Sequence, residues 1–255
     1  MRAIILAAGK GKRLVALTQH CPKSLIPVGG VPILSRFLGA LEAVGIKDIV
    51  IVVGYLEEKM TQFIKDSHPH LNIQTTVNPD YLRGSILSLW AAREFFNDDL
   101  LIMDADVLFP KQFLSMLIQS PHPDLMLLDQ SVQSHGEEQM LLIKNNRVID
   151  CTKKVQGKGP EDFDLMGEGI GFLKISRSSS EKLKQIIKDF VKQGEVDMEY
   201  EDTFHSFFNE VDVKFLPVGG MPWTEIDFPE DIQKAEKSIL PKLLKYEQEH
   251  PLWNT

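Results

Sequence analysis

Cysteine is nearly absent from this sequence: Cys21 and Cys151 are the only two among 255 residues. They lie far apart, so neither a disulfide framework nor a zinc-ligand spacing is available, and the count suits a reducing cytosol. No apolar run approaches the roughly 20 residues of a membrane span. The opening run, 3–8, is too short for a signal h-region and leads into the charged segment 9–13. A cytoplasmic protein is expected. Basic excess is missing as well: Lys plus Arg number 28 against 36 Asp plus Glu, a formal net charge of −8. That excludes broad charge neutralisation of nucleic acid as a mode of action. An acidic protein that handles phosphates must place its few cations locally, or borrow a metal. Repeats, low-complexity tracts and long linkers are also lacking.

What is present is ordinary for a folded domain. Apolar residues at 43% and charged residues at 25% exclude collagen-like and disordered classes. A chain of this length fits one α/β domain. It can bury roughly 70–75% of its unfolded surface without a disulfide or metal.

Short apolar runs alternate with helical periodicity. Arg2–Leu6 reads as a buried strand feeding a glycine loop. Residues 31–45 show helical spacing between Pro32 and Gly45. Strands are expected at Asp48–Val53, Asn72–Val77 and 100–103, and helices at Glu57–Ser67 and 85–96. The order β-α-β-α-β-α-β argues for a Rossmann-like, doubly wound, mostly parallel mixed sheet. Ligands of such sheets bind beyond the carboxyl ends of the strands. The glycine loop and the pair Asp104 and Asp106 both fall at such ends, so they can meet in one cleft. The second half is less regular. Helices are expected at 110–119, Arg177–Lys192, 198–209 and 229–246, the last capped near Asp227. Strands are expected at 125–128, Met140–Lys144, 147–151, 169–175, 211–216 and 221–226. Asn145-Asn146 reads as a two-residue hairpin turn. The whole chain, 1–255, is expected to be one domain. In it, 131–168 form a small β excursion, a lid or acceptor-side wall, and 229–250 the closing helix.

Two loops carry the candidate chemistry. Leu6-Ala7-Ala8-Gly9-Lys10-Gly11-Lys12-Arg13-Leu14 spaces two glycines ahead of a cation. A glycine-rich turn frees backbone N–H groups to face phosphate oxygens, and Arg13 can fork two donors onto one. The third glycine of a dinucleotide fingerprint is missing, and no Walker A spacing occurs. The second loop, from Cys21-Pro22-Lys23 through Pro27 to Pro32, is stiffened by three prolines. It can place the Lys23 point charge on a polyphosphate.

Together these blocks resemble the amino-terminal signature of the sugar-phosphate nucleotidyltransferases. The matching positions are Leu6-Ala7-Ala8-Gly9, Gly11, Arg13-Leu14, Leu17-Thr18, Pro22-Lys23, Leu25, Pro27-Val28, Gly30 and Pro32. Ala16 departs from the family, which has proline there. The resemblance implies that the Gly loop, from Leu6 through Lys12, wraps the nucleotide while Arg13 and Lys23 hold phosphates. It also implies that Asp106 and a late carboxylate, Asp227, bind Mg²⁺. The physical need is plain. Two anions must meet, and a divalent cation neutralises charge where they do.

The middle of the chain is similar to the branch containing phosphocholine, 2-aminoethylphosphonate and inositol-phosphate cytidylyltransferases. The residues are Asn78-Pro79-Asp80-Tyr81, Gly84-Ser85, Ser88-Leu89-Trp90, Thr152-Lys153-Lys154, Gly167-Glu168 and Trp223 to Asp231. Ser85, Ser88 and Asp104 are then expected on the nucleotide, and Lys153 on the acceptor phosphate. Glu168, Glu201, Glu225 and the face of Trp223 would suit an ammonium group. The expected partners are CTP and a small phosphorylated or phosphonate acceptor, with a homodimer admitted and neither nucleic acid nor membrane. Two alternatives stand beside this. One is a sugar-1-phosphate uridylyl-, guanylyl- or thymidylyltransferase. The other is a catalytically silent regulatory subunit, which would be expected to have lost Arg13, Lys23 or Asp106.

Overall fold

Residues along β1 (Arg2–Leu6) alternate between two cores. Ala3 and Ile5 join one, Ile4 the other. The same alternation runs through β2 (Asp48–Val53) and β4 (Leu100–Asp104), with Ile49 and Leu101 on the first side and Val50 and Ile102 on the second. Strands covered on both faces need apolar side chains at nearly every position, which is why these segments read as unbroken runs. The computed structural model describes residues 1–67, 71–131, 138–155, 157–159 and 161–252.

Among the described residues, nine strands build the main sheet. The others are β3 (Asn72–Val77), β5 (Leu125–Asp129), β6 (Met140–Lys144), β7 (Arg147–Thr152), β8 (Leu165–Ile175) and β9 (Lys214–Pro217). Their order is β7-β6-β8-β4-β1-β2-β3, with β5 beside β8 and β9 beside β5. The pairs β1–β2, β1–β4, β2–β3 and β5–β9 are parallel. Strand β8 runs antiparallel to β4, β5 and β6. The chain leaves β1 for β2 and β3 on one side and returns to β4 on the other. The carboxyl ends of β1 and β4 therefore flank a topological switch point, where such sheets open a crevice. Leu6 sits opposite Asp104 in that register.

Helices α1 (Ile33–Ala43), α2 (Glu57–Ser67), α3 (Ile86–Ala91), α4 (Gln112–Gln119), α5 (Arg177–Lys192), α6 (Phe204–Glu210), α7 (Pro229–Lys234) and α8 (Leu240–Glu249) complete the frame. The mixed α/β, mostly parallel architecture is the one expected. The Asn145-Asn146 turn holds as well, with φ of 51° and 58° at the two residues, both in the left-handed region that tight hairpin turns require.

Several expectations are corrected, among them the strand expected at 211–216, which begins only at Lys214 because Val211 closes the preceding helix. The helix expected at 85–96 stops at Ala91 and gives way to a 3₁₀ turn, Arg93–Phe95. Residues 221–226 form only a two-residue ladder, Thr224–Glu225 against Val107–Leu108. The closing helix is not continuous, because Ala235–Ile239 take a π turn before Pro241, whose missing N–H breaks the α ladder. Strand β8 starts four residues early, at Leu165 rather than 169, and runs through three glycines. Residues 131–168 carry β6, β7 and the start of β8, which continue the main sheet at its edge. Parts of that stretch, 132–137, 156 and 160, lie outside the described residues. Among the described residues, no helix is long and apolar enough to cross a membrane.

Candidate active site

The loop after β1 is held in place from both ends. The Ala7 amide donates to the Val52 carbonyl and the Tyr55 amide to the Ala8 carbonyl, each at 2.9 Å. At Gly11 φ is +64°, and a Cβ there would stand 3.0 Å from Thr18 Cγ2 and 3.3 Å from Lys23 Cβ. The position therefore needs glycine on both counts. The Leu14 amide and the Thr18 hydroxyl both donate to the Gly11 carbonyl, and fully buried Leu14 anchors the turn Lys12–Leu14.

Lys23 stands at the start of a 3₁₀ turn, Lys23–Leu25, entered from Pro22 at φ −54°. Its ammonium donates to Asp106 Oδ2 at 2.7 Å and to Asp227 Oδ1 at 2.6 Å. Arg13 Nη1 donates to Asp227 Oδ2 at 2.9 Å, and its guanidinium lies 5.1 Å above the Phe228 ring. Burial opposes the Lys23 charge, yet Asp106 and Asp227 hold the ammonium above its ordinary pKa. Burial likewise works to raise Asp227, but Lys23 and then Arg13 bring it below the usual carboxylate range.

The late segment reaches the cleft through the Thr224–Glu225 ladder and an Ile226 amide that donates to the Asp106 carbonyl at 2.9 Å. Asp106, Glu225 and Asp227 each offer an oxygen, and the three oxygens lie within 4.8 Å of one another. Restricted solvation, then the charges of Asp106 and Asp227, push Glu225 up to about 9. Asp106 Oδ1 is buried and accepts no hydrogen bond. Three converging carboxylates, with one Asp106 oxygen unsatisfied, fit Mg²⁺ chemically. Asp227 does not cap α7. Asp231 does so, its carboxylate accepting from the Asp227 and Phe228 amides at 3.0 and 2.7 Å, which leaves the Asp227 side chain to Lys23 and Arg13.

The far wall is acidic. Asp104 Oδ2 accepts from the Tyr200 hydroxyl at 2.8 Å. Burial, then Glu201 and Asp106, raise Asp104 well above the usual range. Gly171, at φ +74°, passes so close that a Cβ would stand 2.6 Å from Asp104 Oδ2. Burial pushes Glu201 up to about 8, and its Oε2 accepts no hydrogen bond. Burial, then Glu138 and Asp129, push Glu168 up to about 7. Lys153 Nζ donates to Glu199 Oε1 at 3.0 Å, and Trp223 Nε1 to Asp129 Oδ2 at 2.7 Å. Ser85 Oγ accepts from the Tyr200 amide, not from its own helix, and Ser88 Oγ accepts from Asn78 Nδ2.

Every candidate residue named from the sequence lines one cleft of about 730 Å³. Glu225, expected on the acceptor wall, stands with Asp106 and Asp227. Tyr200 and Glu199 were not singled out. Their only sequence signal was the acidic cluster around Glu201, in a stretch that reads as an exposed helix but begins as the 3₁₀ turn Tyr200–Thr203.

A glycine loop and a carboxylate trio at the switch point define a nucleotide-handling α/β domain. A family model, the MobA-like NTP transferase domain, matches residues 3–162, and the chain belongs to that family. The resemblance carried by residues 6–32 is borne out at this level. The chain is 38% identical over 122 residues, 48% of its length, to the CMP-5'-(3-aminopropyl)phosphonate synthase of Streptomyces rubellomurinus, and spans 19% of that protein. It spans about half of several bifunctional relatives. It is 27% identical over 230 residues to the 2-aminoethylphosphonate cytidylyltransferase of Lancefieldella rimae, covering 88% of this chain and 87% of that protein. In fold it is similar to the CTP:phosphocholine cytidylyltransferase of Streptococcus pneumoniae, with a TM-score of 0.73, 24% identity, and coverage of 92% and 97% of the two chains.

Proposed function

We propose that this chain is a divalent-metal-dependent cytidylyltransferase. It joins CMP from CTP to a small phosphate or phosphonate bearing an ammonium group and releases pyrophosphate. One observation carries the reading: Arg13, Lys23 and the trio Asp106, Glu225 and Asp227 converge at the carboxyl ends of β1 and β4. An anionic acceptor approaching a triphosphate is repelled, and a protein of net charge −8 adds to the repulsion unless cations stand at the meeting point.

The amides around Gly9 and Gly11 bind phosphate oxygens, and Leu6, Ala7, Ala8, Lys12, Ser85, Ser88 and Asp104 line the nucleotide half of the cleft. Asp106, Glu225 and Asp227 would hold Mg²⁺, which when bound neutralises phosphate charge and stabilises the crowded transition state. Lys23 and Arg13 orient the phosphates and balance the charge of the departing pyrophosphate. An acceptor oxygen forms its bond to the α-phosphorus as the bond to the bridging oxygen of the β-phosphate breaks. No side-chain nucleophile is required, since positioning and electrostatics suffice for this chemistry. Lys153 meets the acceptor's anionic end. The ammonium end faces Glu168 and Glu201, whose Oε2 has no hydrogen-bond partner, and a cation bound there would favour the charged form of both carboxyls. Trp223 offers its ring beside them. Relatives named for CMP transfer to aminoalkylphosphonates support both substrate assignments.

The test pairs the protein and Mg²⁺ with each of four nucleoside triphosphates and with matched aminoalkyl and hydroxyalkyl phosphates and phosphonates, following pyrophosphate. Turnover is expected with CTP and an amine-bearing acceptor, and Asp106→Ala is expected to abolish it without unfolding the protein. Equal or greater turnover with UTP or GTP refutes the cytidylyl assignment.

A further inference from the structure

Resting on the metal-dependent reading above, we propose that Lys23 is the resident counter-ion of the carboxylate trio. A divalent cation then enters only as the Lys23 ammonium withdraws, a step that the phosphates of a nucleotide favour. Metal and triphosphate thereby bind as a coupled pair.

The oxygens of Asp106 and Asp227 are already committed. Lys23 takes Asp106 Oδ2 and Asp227 Oδ1 at 2.7 and 2.6 Å, and Arg13 takes Asp227 Oδ2 at 2.9 Å. The one left over, Asp106 Oδ1, is sealed from solvent. The Lys23 side chain is only 14% exposed, so the ammonium sits inside the group and not at its rim. Mg²⁺ demands oxygens at about 2.0–2.1 Å in near-octahedral order. It cannot take those oxygens while an ammonium holds them, and two cations so close repel.

The anatomy lets Lys23 leave. Its backbone is pinned by the 3₁₀ turn, where the Ile26 amide donates to the Lys23 carbonyl at 3.1 Å. The charge, however, ends a flexible four-carbon stem. That stem lies against the glycine loop, since a Cβ on Gly11 would stand 3.3 Å from Lys23 Cβ and 3.5 Å from its Cδ. Withdrawal therefore carries the ammonium toward the amides that face the phosphates. Coupling of this kind is reciprocal: the triphosphate that draws Lys23 away raises metal affinity by the same factor that metal raises its own.

Mn²⁺ binding to the nucleotide-free protein, read from the paramagnetic resonance of free Mn²⁺, tests this without any turnover. Lys23→Met is expected to bind at least about tenfold more tightly than wild type, the size of a typical site-to-site coupling, while Lys23→Arg, which keeps the charge, stays as weak as wild type. Equal affinity in wild type and Lys23→Met overturns the proposal and leaves the proposed function standing. If neither binds Mn²⁺ even with a non-hydrolysable CTP analogue present, the metal-dependent reading falls too. Wild type alone gives a second measurement, acetylation of the Lys23 amine read by peptide mass spectrometry. Saturating Mn²⁺ is expected to raise labelling several-fold, and unchanged labelling with Mn²⁺ bound overturns the proposal.

Discussion

A half-buried carboxyl with few partners makes folding sensitive to pH, and Glu168 is such a group. Burial, with Glu138 and Asp129 nearby, pushes it from an ordinary 4.5 up to about 7. Between those values the folded protein keeps a proton that the unfolded chain has released. Its contribution is therefore complete below about 4.5 and is lost as pH rises through about 7. Glu168→Gln removes that loss. Urea midpoints at pH about 5 and about 7.5 should fall upward in pH more steeply for wild type than for the variant, and parallel slopes would refute the account. Gly171→Ala acts through shape. It asks a left-handed residue to carry a Cβ 2.6 Å from Asp104 Oδ2, and should cost about 1–3 kcal/mol by urea denaturation. Arg13, Lys23 and Asp106 stood out in the sequence as candidates because glycine, proline and strand ends advertise loops that hold charge, whereas Asp227 came forward only through the family resemblance. Tyr200 was not. Its bond to Asp104 joins residues 96 apart, and nothing local to Tyr200 encodes it.

At the scale of elements, the start of α7 governs the late half of the site. Asp231 ties down the amides of Asp227 and Phe228, and so fixes the direction of the Asp227 side chain. Asp231→Ala should cost about 1 kcal/mol, as lost caps do, and should also weaken Mn²⁺ binding in the presence of a CTP analogue. Calorimetry and metal titration read the two effects separately. A stability loss with unchanged metal affinity would mean that Asp227 holds its place unaided. The central strands were legible because burial on both faces leaves an unbroken apolar run. The break after α3 and the two-residue ladder at Thr224–Glu225 were not. There the periodicity persists while the hydrogen bonding changes, and only tertiary partners such as the Val107–Leu108 strand decide where an element ends.

Across the whole molecule, two distant loops meet at the cleft mouth. Arg83 pairs with both Asp197 oxygens at 2.8 and 2.7 Å, and the Gly84 amide donates to the Val196 carbonyl at 3.1 Å. A side chain at Gly84 would run into the Met198 backbone. Exposed ion pairs add little to folding. Arg83→Ala should therefore leave the melting temperature nearly unchanged while raising the KM for nucleotide several-fold, since both loops line the cleft. An unaltered KM would mean that the clasp has no part in binding. Strand β8 sets a different constraint. Its first half pairs with β6 and its second with β4, while β5 runs alongside with a register shift between Gly169 and Leu173. One continuous ribbon thus belongs to both ends of the groove. Anyone grafting a relative's specificity wall onto this scaffold must cut that ribbon, and the glycine-rich shift is the natural seam for the splice.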